Sequence, residues 1–475
     1  MVSYQAQVGA ILYQRAALVR TRPVADEIAQ APDGVRSLGI ESFQHGLQRM
    51  QISVNVREDR DAHRSRATLA KRAALLVAAA AAWIASAIFL WRTEVPHLQL
   101  ADLDPRAYFS AQELARIEDF RRIARLLLVG SLVLEAVILV LFAWKAGAIT
   151  DALAGVAKGR IRTGLLTAAV AVGAIWLALL PLAAVSHWWR RRYGLSEQGY
   201  GGWLRDQAVS LGVELVIVIV AVAAFMALAA WLGKAWWLAG APALVLAATL
   251  FVLAQPLVIE PLFNRFEPLR DRALAAKIEA LGREEGVTVS SVEVADASRR
   301  TTAANAYVGG IGPTRRVVFY DTLLDGRFNE PEIVSVSAHE LAHVGRRHLW
   351  KGLGWFALIA LPCVFVVAWA AERRGSLAEP RAVPLALAVA FGLILVTMPF
   401  ANAVSRRFEA EADWIALRST GDPRSFVSLE QKLVRSSLGD PDPPAWSSTL
   451  FGTHPTPMKR IAMAEAFSDR SRGGS

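Results

Sequence analysis

Among the 475 residues there is a single cysteine, Cys363, so a disulfide within the chain and a zinc site built on cysteine pairs are both excluded. Cys363 falls inside an apolar run and reads as a small buried core residue. Charge is also scarce. Only 20 % of residues are charged against 54 % hydrophobic, and mean hydropathy is +0.33, a balance unlike that of a soluble protein of this length. The N-terminal region has no sustained apolar run, which excludes a secretory signal there, and there is no internal repeat. Acidic residues number 42 against 52 basic ones, a net charge of +10. Nucleic acid is nevertheless not an expected partner. The basic residues lie mostly at the ends of apolar runs, where they anchor helices and meet anionic lipid headgroups.

What the chain does contain is lipid-compatible sequence. Seven apolar runs approach or exceed the ~20 residues that cross a bilayer: 73–91, 123–144, 165–189, 208–231, 236–259, 353–371 and 383–404. The third ends in Trp188-Trp189-Arg190-Arg191-Arg192, an aromatic belt followed by a cationic stop. The fourth and fifth are joined only by a few residues around Gly233-Lys234, which predicts an antiparallel hairpin in the membrane. Glu135 and Glu214 fall inside the second and fourth runs, where a lipid-facing carboxylate would cost ~2.5–3.5 kcal/mol or more. Each should therefore face protein or a hydrated space, as a paired structural carboxyl or as part of a chamber wall.

Residues 1–70 read as a charged N-terminal arm. Met50 would serve as a start for the remainder, making residues 1–49 an over-extended reading frame. After Pro261 the character becomes that of a soluble domain: a charge-patterned helix from Asp271 to Glu285, a β-branched stretch from Val287 to Val294, then Ala303 to Val308 and Arg316 to Tyr320 around a glycine-rich turn. The expected organisation is an arm (1–70), five spans (71–260), a catalytic domain (261–350), two further spans (351–404) and a soluble C-terminal part (405–475).

Between the fifth and sixth spans lies His339-Glu340-Leu341-Ala342-His343. On a helix, histidines four apart project from one face and can grip a single zinc ion, while the intervening glutamate serves as general base. Pro331 and two acids mark the start of that helix. Hydrolytic zinc needs a third protein ligand and an open position. Glu409, Glu411 and Asp413 are the candidates. Glu409 and Asp413 share a helical face and Glu411 points roughly away, so geometry leaves either of the first two as ligand and the other as the acceptor that fixes a histidine tautomer. His348, five residues after His343, falls off the ligand face, and a capping role or one supporting the ligands from behind is expected of it. Arg406-Arg407 read as the cationic end of the seventh span.

These residues, with Ser405-Arg406-Arg407-Phe408-Glu409, Ala412-Asp413, His454-Pro455-Thr456 and Arg460-Ile461, resemble the integral-membrane zinc metallopeptidases of the type I CAAX prenyl endopeptidases and their HtpX relatives. So do Arg192-Tyr193-Gly194-Leu195-Ser196-Glu197-Gln198, Trp203-Leu204-Arg205-Asp206, Pro261-Leu262-Phe263-Asn264-Arg265-Phe266 and Asn305-Ala306-Tyr307 with Tyr320-Asp321-Thr322-Leu323-Leu324. Seven spans match the CAAX branch better. The resemblance implies a mainly α, polytopic membrane fold with a gluzincin-type α+β zinc domain, one Zn2+ per chain on His339, His343 and Glu409, and Asp413 behind them. It implies Glu340 as catalytic base, His454 beside the reacting carbonyl, and Asn305, Ala306 and Tyr307 as the strand edge receiving substrate backbone.

The expected activity is a membrane-embedded zinc endopeptidase acting on peptide or membrane-protein substrates in the bilayer. A composition rich in Ala and Arg suggests a high-GC bacterium, where prenylated substrates are not expected, so membrane-protein quality control is the better expectation, with C-terminal processing beside it. The competing expectation is a non-catalytic scaffold or transporter that kept the fold. Basic clusters at Arg265/Arg270/Arg272, Arg346/Arg347/Lys351 and Arg406/Arg407 lean toward an inner-membrane protein whose catalytic side faces the cytoplasm.

Overall fold

The structure, a computed structural model, describes residues 71–473 apart from 72 and 76; the N-terminal arm expected over 1–70 lies outside the described residues. Among the described residues the chain divides into two units, one ending at Arg92 and the other running from Thr93 onward. Of the first, helix α1 (Ala73–Trp91) is described, apolar and long enough to cross a bilayer.

In the larger unit, α2 (Ala111–Trp144) begins well before its apolar run does. Ser110 accepts from the Glu113 N–H while the Glu113 carboxylate accepts from the Ser110 N–H, a capping box that starts the helix in polar sequence. A short α3 (Ala146–Ala154) leads to α4 (Arg160–Arg192). Helices α5 (Tyr200–Leu232) and α6 (Trp236–Ala254) are separated by one 3-10 turn at Gly233–Ala235, the hairpin expected from sequence. Pro256 lacks an N–H, and the helix loosens there into a π turn, Gln255–Ile259, before the short α7 (Glu260–Phe263). Six helical stretches among the described residues are long and apolar enough to span; one of them, Tyr200–Phe263, contains both arms of the hairpin.

Beyond α7 stands a four-stranded sheet in the order β1-β2-β4-β3. Strand β1 (Phe266–Pro268) pairs antiparallel with β2 (Ser291–Ala295), β2 pairs parallel with β4 (Arg316–Tyr320), and β3 (Ala306–Gly309) pairs antiparallel with β4. The β2 strand begins later than Val287 because Val287–Ser290 forms a link, its first residue buried under Gly282. A Cβ on Gly282 would stand 2.9 Å from the Val287 carbonyl oxygen, so only glycine permits this contact. Alternation along β4 sends Val317 and Phe319 into one core and Val318 and Tyr320 into another. The first core is completed by α8 (Arg272–Glu284), whose Leu274, Ile278 and Leu281 recur at helical spacing, and by Ile333, Ala338 and Leu341 of α9 (Glu330–Gly345). Each fully buried aliphatic there contributes roughly 1.5–3 kcal/mol.

The α10 helix (His348–Glu372) and α11 (Val383–Thr420) return to the membrane and pack on each other, α10 also on α6 and α11 on α2. At ~1.5 Å per residue α11 is about 57 Å long, nearly twice the ~30 Å of a hydrocarbon core. Its last turns therefore stand outside the bilayer and pack against α9. Helices α12 (Pro423–Ser437), α13 (Ala445–Phe451) and α14 (Pro457–Gly473) complete the chain. The soluble part is bolted to the membrane helices by Arg300. Its guanidinium pairs with Asp206 of α5 at 2.7 Å, both almost fully buried, and donates to Asn264. Removing one partner of such a pair costs about 3–5 kcal/mol.

Candidate metal centre

Helix α9 is fixed at its start by Asn329, whose side chain accepts from the Glu332 N–H while Glu332 accepts from the Asn329 N–H, with Pro331 in the first turn. Glu332, fully buried, also meets Lys432 and Ser428 of α12, which locks the helix's rotation. His339 and His343 then fall on the face toward α11. Their Nε2 atoms are 3.1 Å apart. Glu409 of α11 completes the group: Oε2 lies 3.2 Å from His339 Nε2, and Oε1 lies 3.6 Å from His343 Nε2.

These spacings fit a shared metal. Donors ~2.0–2.1 Å from one tetrahedral zinc stand about 3.3 Å from each other, and the three ligand atoms here lie within 4.8 Å of one another. The Glu409 Oε2 atom is buried and accepts no well-formed hydrogen bond despite its nitrogen neighbours, so the donors converge on a common point more than on each other. Charge points the same way. Burial opposes protonation of His339, yet Asp413 and Glu409 outweigh it and pull the imidazole up to about 10. A pocket with that excess of negative charge suits a divalent cation.

Asp413, fully buried, places Oδ1 2.8 Å from His339 Nδ1, an ion-pair contact without the angle of a well-formed hydrogen bond, on the ring nitrogen opposite the one that faces Glu409. Arg460 of α14 grips Asp413 with Nε (2.8 Å) and Nη2, and holds Glu430 of α12 with Nη1 at 2.8 Å. Burial raises the Glu430 carboxyl towards about 7, Arg460 opposing. Glu340 follows the same rule. Burial raises its carboxyl above the ordinary range, with the His339 and His343 imidazoles pulling the other way.

His454 Nε2 approaches Glu409 Oε2 at 3.2 Å, and its ring remains about half exposed. Its loop is held from α11: Arg406 donates to the Ser448 and Gly452 carbonyls and Asn402 to that of Leu450. Arg406, read from sequence as a cationic helix end, thus caps the carbonyls ending α13. The strand expected to receive substrate is an edge strand in the sheet, with β4 on one side. The Asn305 carbonyl accepts from the Tyr320 N–H, Ala306 is buried, and the Tyr307 hydroxyl donates to Glu260 of α7 at 2.6 Å. Burial and the Glu260 carboxylate both raise the Tyr307 phenol.

So His339, His343, Glu409, Asp413 and His454 come together, with Glu340 within electrostatic reach. Tyr307 spends its side chain on the membrane helix. Sequence reasoning missed Glu430 and Asn402, and for His348 it gave a supporting or capping role without its partners. These depend on contacts between distant helices, and only the recurrence of Arg460 in the motif set hinted at one of them.

Two family models cover most of the larger unit: peptidase family M48 matches residues 268–468, and the CAAX prenyl protease N-terminal domain, described as five membrane helices, matches residues 106–265. An uncharacterized metalloprotease of Bacillus subtilis, YhfN, is 30 % identical over 299 residues, covering 61 % of this chain and 70 % of that protein. A CAAX prenyl protease 1 homolog of Arabidopsis thaliana is 28 % identical over 294 residues, 57 % of this chain and 65 % of the relative. In fold the chain is similar to the crystal structure of Ste24p from S. mikatae, with a TM-score of 0.65, 19 % identity and coverage of 81 % of this chain and 96 % of that one. A His-Glu-x-x-His helix, a carboxylate donor delivered by the last spanning helix, and both matched models therefore agree: this integral membrane protein is a metalloprotease, and it belongs to peptidase family M48, on its CAAX prenyl protease branch.

Proposed function

We propose that the chain is a zinc endopeptidase whose metal is held by His339, His343 and Glu409 and whose general base is Glu340. The observation that carries this is the convergence of the three donor atoms from α9 and α11 at spacings suited to one tetrahedral ion. When bound, zinc supplies Lewis-acid polarisation of a carbonyl and acidifies a water. The protein's own groups supply the rest. The outer edge of β3, at Asn305, Ala306 and Tyr307, receives the substrate as an added strand and fixes the scissile carbonyl. Glu340 takes a proton from the water that adds to the carbonyl carbon. It then delivers that proton to the leaving nitrogen as the C–N bond breaks, giving a carboxylate and an amine. His454 donates from Nε2 to the oxygen on which negative charge develops, and Asp413 keeps His339 in the tautomer that ligates through Nε2.

Residues 71–260 and 351–404 form the membrane body in this reading, and 261–350 with 405–475 the catalytic part. Relatives named as CAAX prenyl proteases suggest C-terminal processing; the bacterial relative and the composition favour membrane-protein substrates handled for quality control. The catalytic side faces the cytoplasm of a bacterial inner membrane, supported by the basic clusters around Arg265, Arg346 and Arg406; a reporter fused at the C-terminus tests this.

Glu340→Gln tests the mechanism. Cleavage of a peptide or membrane-protein substrate should fall by about 10²–10⁴-fold, with one zinc per chain retained by elemental analysis. Chelation of the wild type should abolish cleavage, and zinc should restore it. Full activity in Glu340→Gln would sink the mechanism.

A further inference from the structure

His339 has its orienting carboxylate in Asp413, and the second histidine ligand has an arrangement that runs through a third imidazole. His348 Nδ1 lies 2.9 Å from His343 Nδ1, and His348 Nε2 lies 2.9 Å from Glu411 Oε2. On an uninterrupted helix, five residues at ~100° each would set His348 about 140° around from His343. The chain is interrupted. Arg347 takes a left-handed conformation, φ +57° and ψ +36°, between the end of α9 and the start of α10, at a cost of roughly 1–2 kcal/mol for a residue with a Cβ. That single break turns His348 back onto His343.

Everything around the imidazole fixes it. Its ring stacks on Phe408 with centroids 4.7 Å apart and planes 8° from parallel. Glu411, only 1 % exposed, is oriented in turn by the Glu94 N–H (2.7 Å to Oε1) and by Lys351 (3.4 Å to Oε2). Glu94 is itself tied to α9 through Arg346 at 2.8 Å. Since a carboxylate only accepts, His348 must carry its proton on Nε2 and present Nδ1 as an acceptor. His343 then donates from Nδ1, which leaves His343 Nε2 unprotonated toward the ligand cluster.

We propose that His348 is the positioning residue for His343: held in one tautomer by Glu411, it sets the orientation and ligating tautomer of the second histidine, as Asp413 does directly for the first. Glu409, Glu411 and Asp413, alternate residues of one helix, thus divide the work. The first ligates, the third supports His339, and the second, facing away from the metal, supports His343 through His348.

The inference rests on His343 being a metal ligand, and the experiment separates the two ideas. Full-length protein in detergent is titrated with zinc against a competing chelator and loaded with Co2+ for its visible spectrum. The thermal midpoint of the metal-free form reports folding. His343→Ala tests the site itself; tight zinc binding there would refute the ligand assignment. His348→Phe keeps the ring's volume and its stacking on Phe408 but removes the acceptor, and should weaken zinc by about 10–100-fold and alter the Co2+ spectrum while the metal-free midpoint holds. His348→Gln, which retains an acceptor and a donor, should recover most of that loss. Wild-type zinc affinity and an unchanged Co2+ spectrum in His348→Phe would overturn the proposal. Should that variant not fold, the same result in Glu411→Leu, which leaves His348 Nε2 without its acceptor, would overturn it.

Discussion

Replacing Arg460 by methionine tests how far the metal centre depends on a charge that never touches the metal. The guanidinium is shared by two buried carboxylates, Asp413 with no exposed surface and Glu430 with 2 %. Methionine keeps much of the side chain's volume and deletes the cation between them. Breaking a buried ion pair by removing one partner costs about 3–5 kcal/mol. Loss of an orienting contact behind a ligand costs a factor of ~10–100 in metal affinity, or about 1.4–2.8 kcal/mol at ~1.4 kcal/mol per tenfold. The fold should therefore suffer more than the metal. The pH dependence gives the sign. Burial already raises the Glu430 carboxyl in the folded state, with Arg460 opposing, and without Arg460 it rises further. A carboxyl with a raised folded-state pKa is bound to its proton more tightly in the folded protein, so stability falls as pH climbs from the ordinary carboxylate range through the raised value. The deficit of Arg460→Met should accordingly be smaller at pH 5.5 than at pH 8, and Glu430→Gln added to Arg460→Met should recover part of it. Thermal midpoints of the metal-free protein at both pH values, with zinc competition titrations, measure this. A deficit independent of pH, with unchanged zinc affinity, would refute the reasoning.

Arg406→Ala removes the donor that holds the Ser448 and Gly452 carbonyls; zinc affinity should stay within threefold while kcat for peptide cleavage falls at least tenfold, because the loop carrying His454 is released. Tyr307→Phe removes the hydroxyl bonded to Glu260 and leaves that buried carboxylate with Arg316 and Gln255. It should destabilise the protein by about 1–3 kcal/mol and raise KM more than it lowers kcat, as read by steady-state cleavage and thermal unfolding.

The parts of the site set by helical spacing were legible in the sequence. Residues 339 and 343 must share a face, and 409 and 413 must share another, whatever the rest of the chain does. Glu411 does point away from the cluster, as its position requires. What could not be read was that something stands there to meet it. His348 looks misplaced by any calculation that assumes one continuous helix; Gly345 marks the end of α9, but the left-handed position itself falls on Arg347, which does not announce it. The spans were legible because lipid demands long apolar runs, yet α2 starts at Ala111 and not near 123, since a capping box overrides hydropathy. Arg406 illustrates the remaining limit. A basic residue after a span reads as an anchor, and only the return of residues 448–452 to that point in space makes it a cap.

These contacts explain why the third donor rides on a membrane helix. From Val383 to Thr420, α11 is one continuous helix, and its soluble end presents Asn402 and Arg406 to the His454 loop, Glu409 to His339 and His343, Glu411 to His348 and Asp413 to His339 and Arg460. Because these side chains share one rigid rod, a rotation or slide of α11 displaces Glu409, the groups around it and the His454 loop together, and the geometry is kept or lost as a set. The strand edge that would receive substrate is independent of that rod. It belongs to the sheet, and Tyr307 moors it to α7, at the end of a different membrane helix, beside the π turn at Gln255–Ile259. In the proposed reading, chemistry and substrate docking thus hang from different helices. Relative movement of α11 and the α6–α7 segment would change which peptides reach the metal without altering the donor set itself.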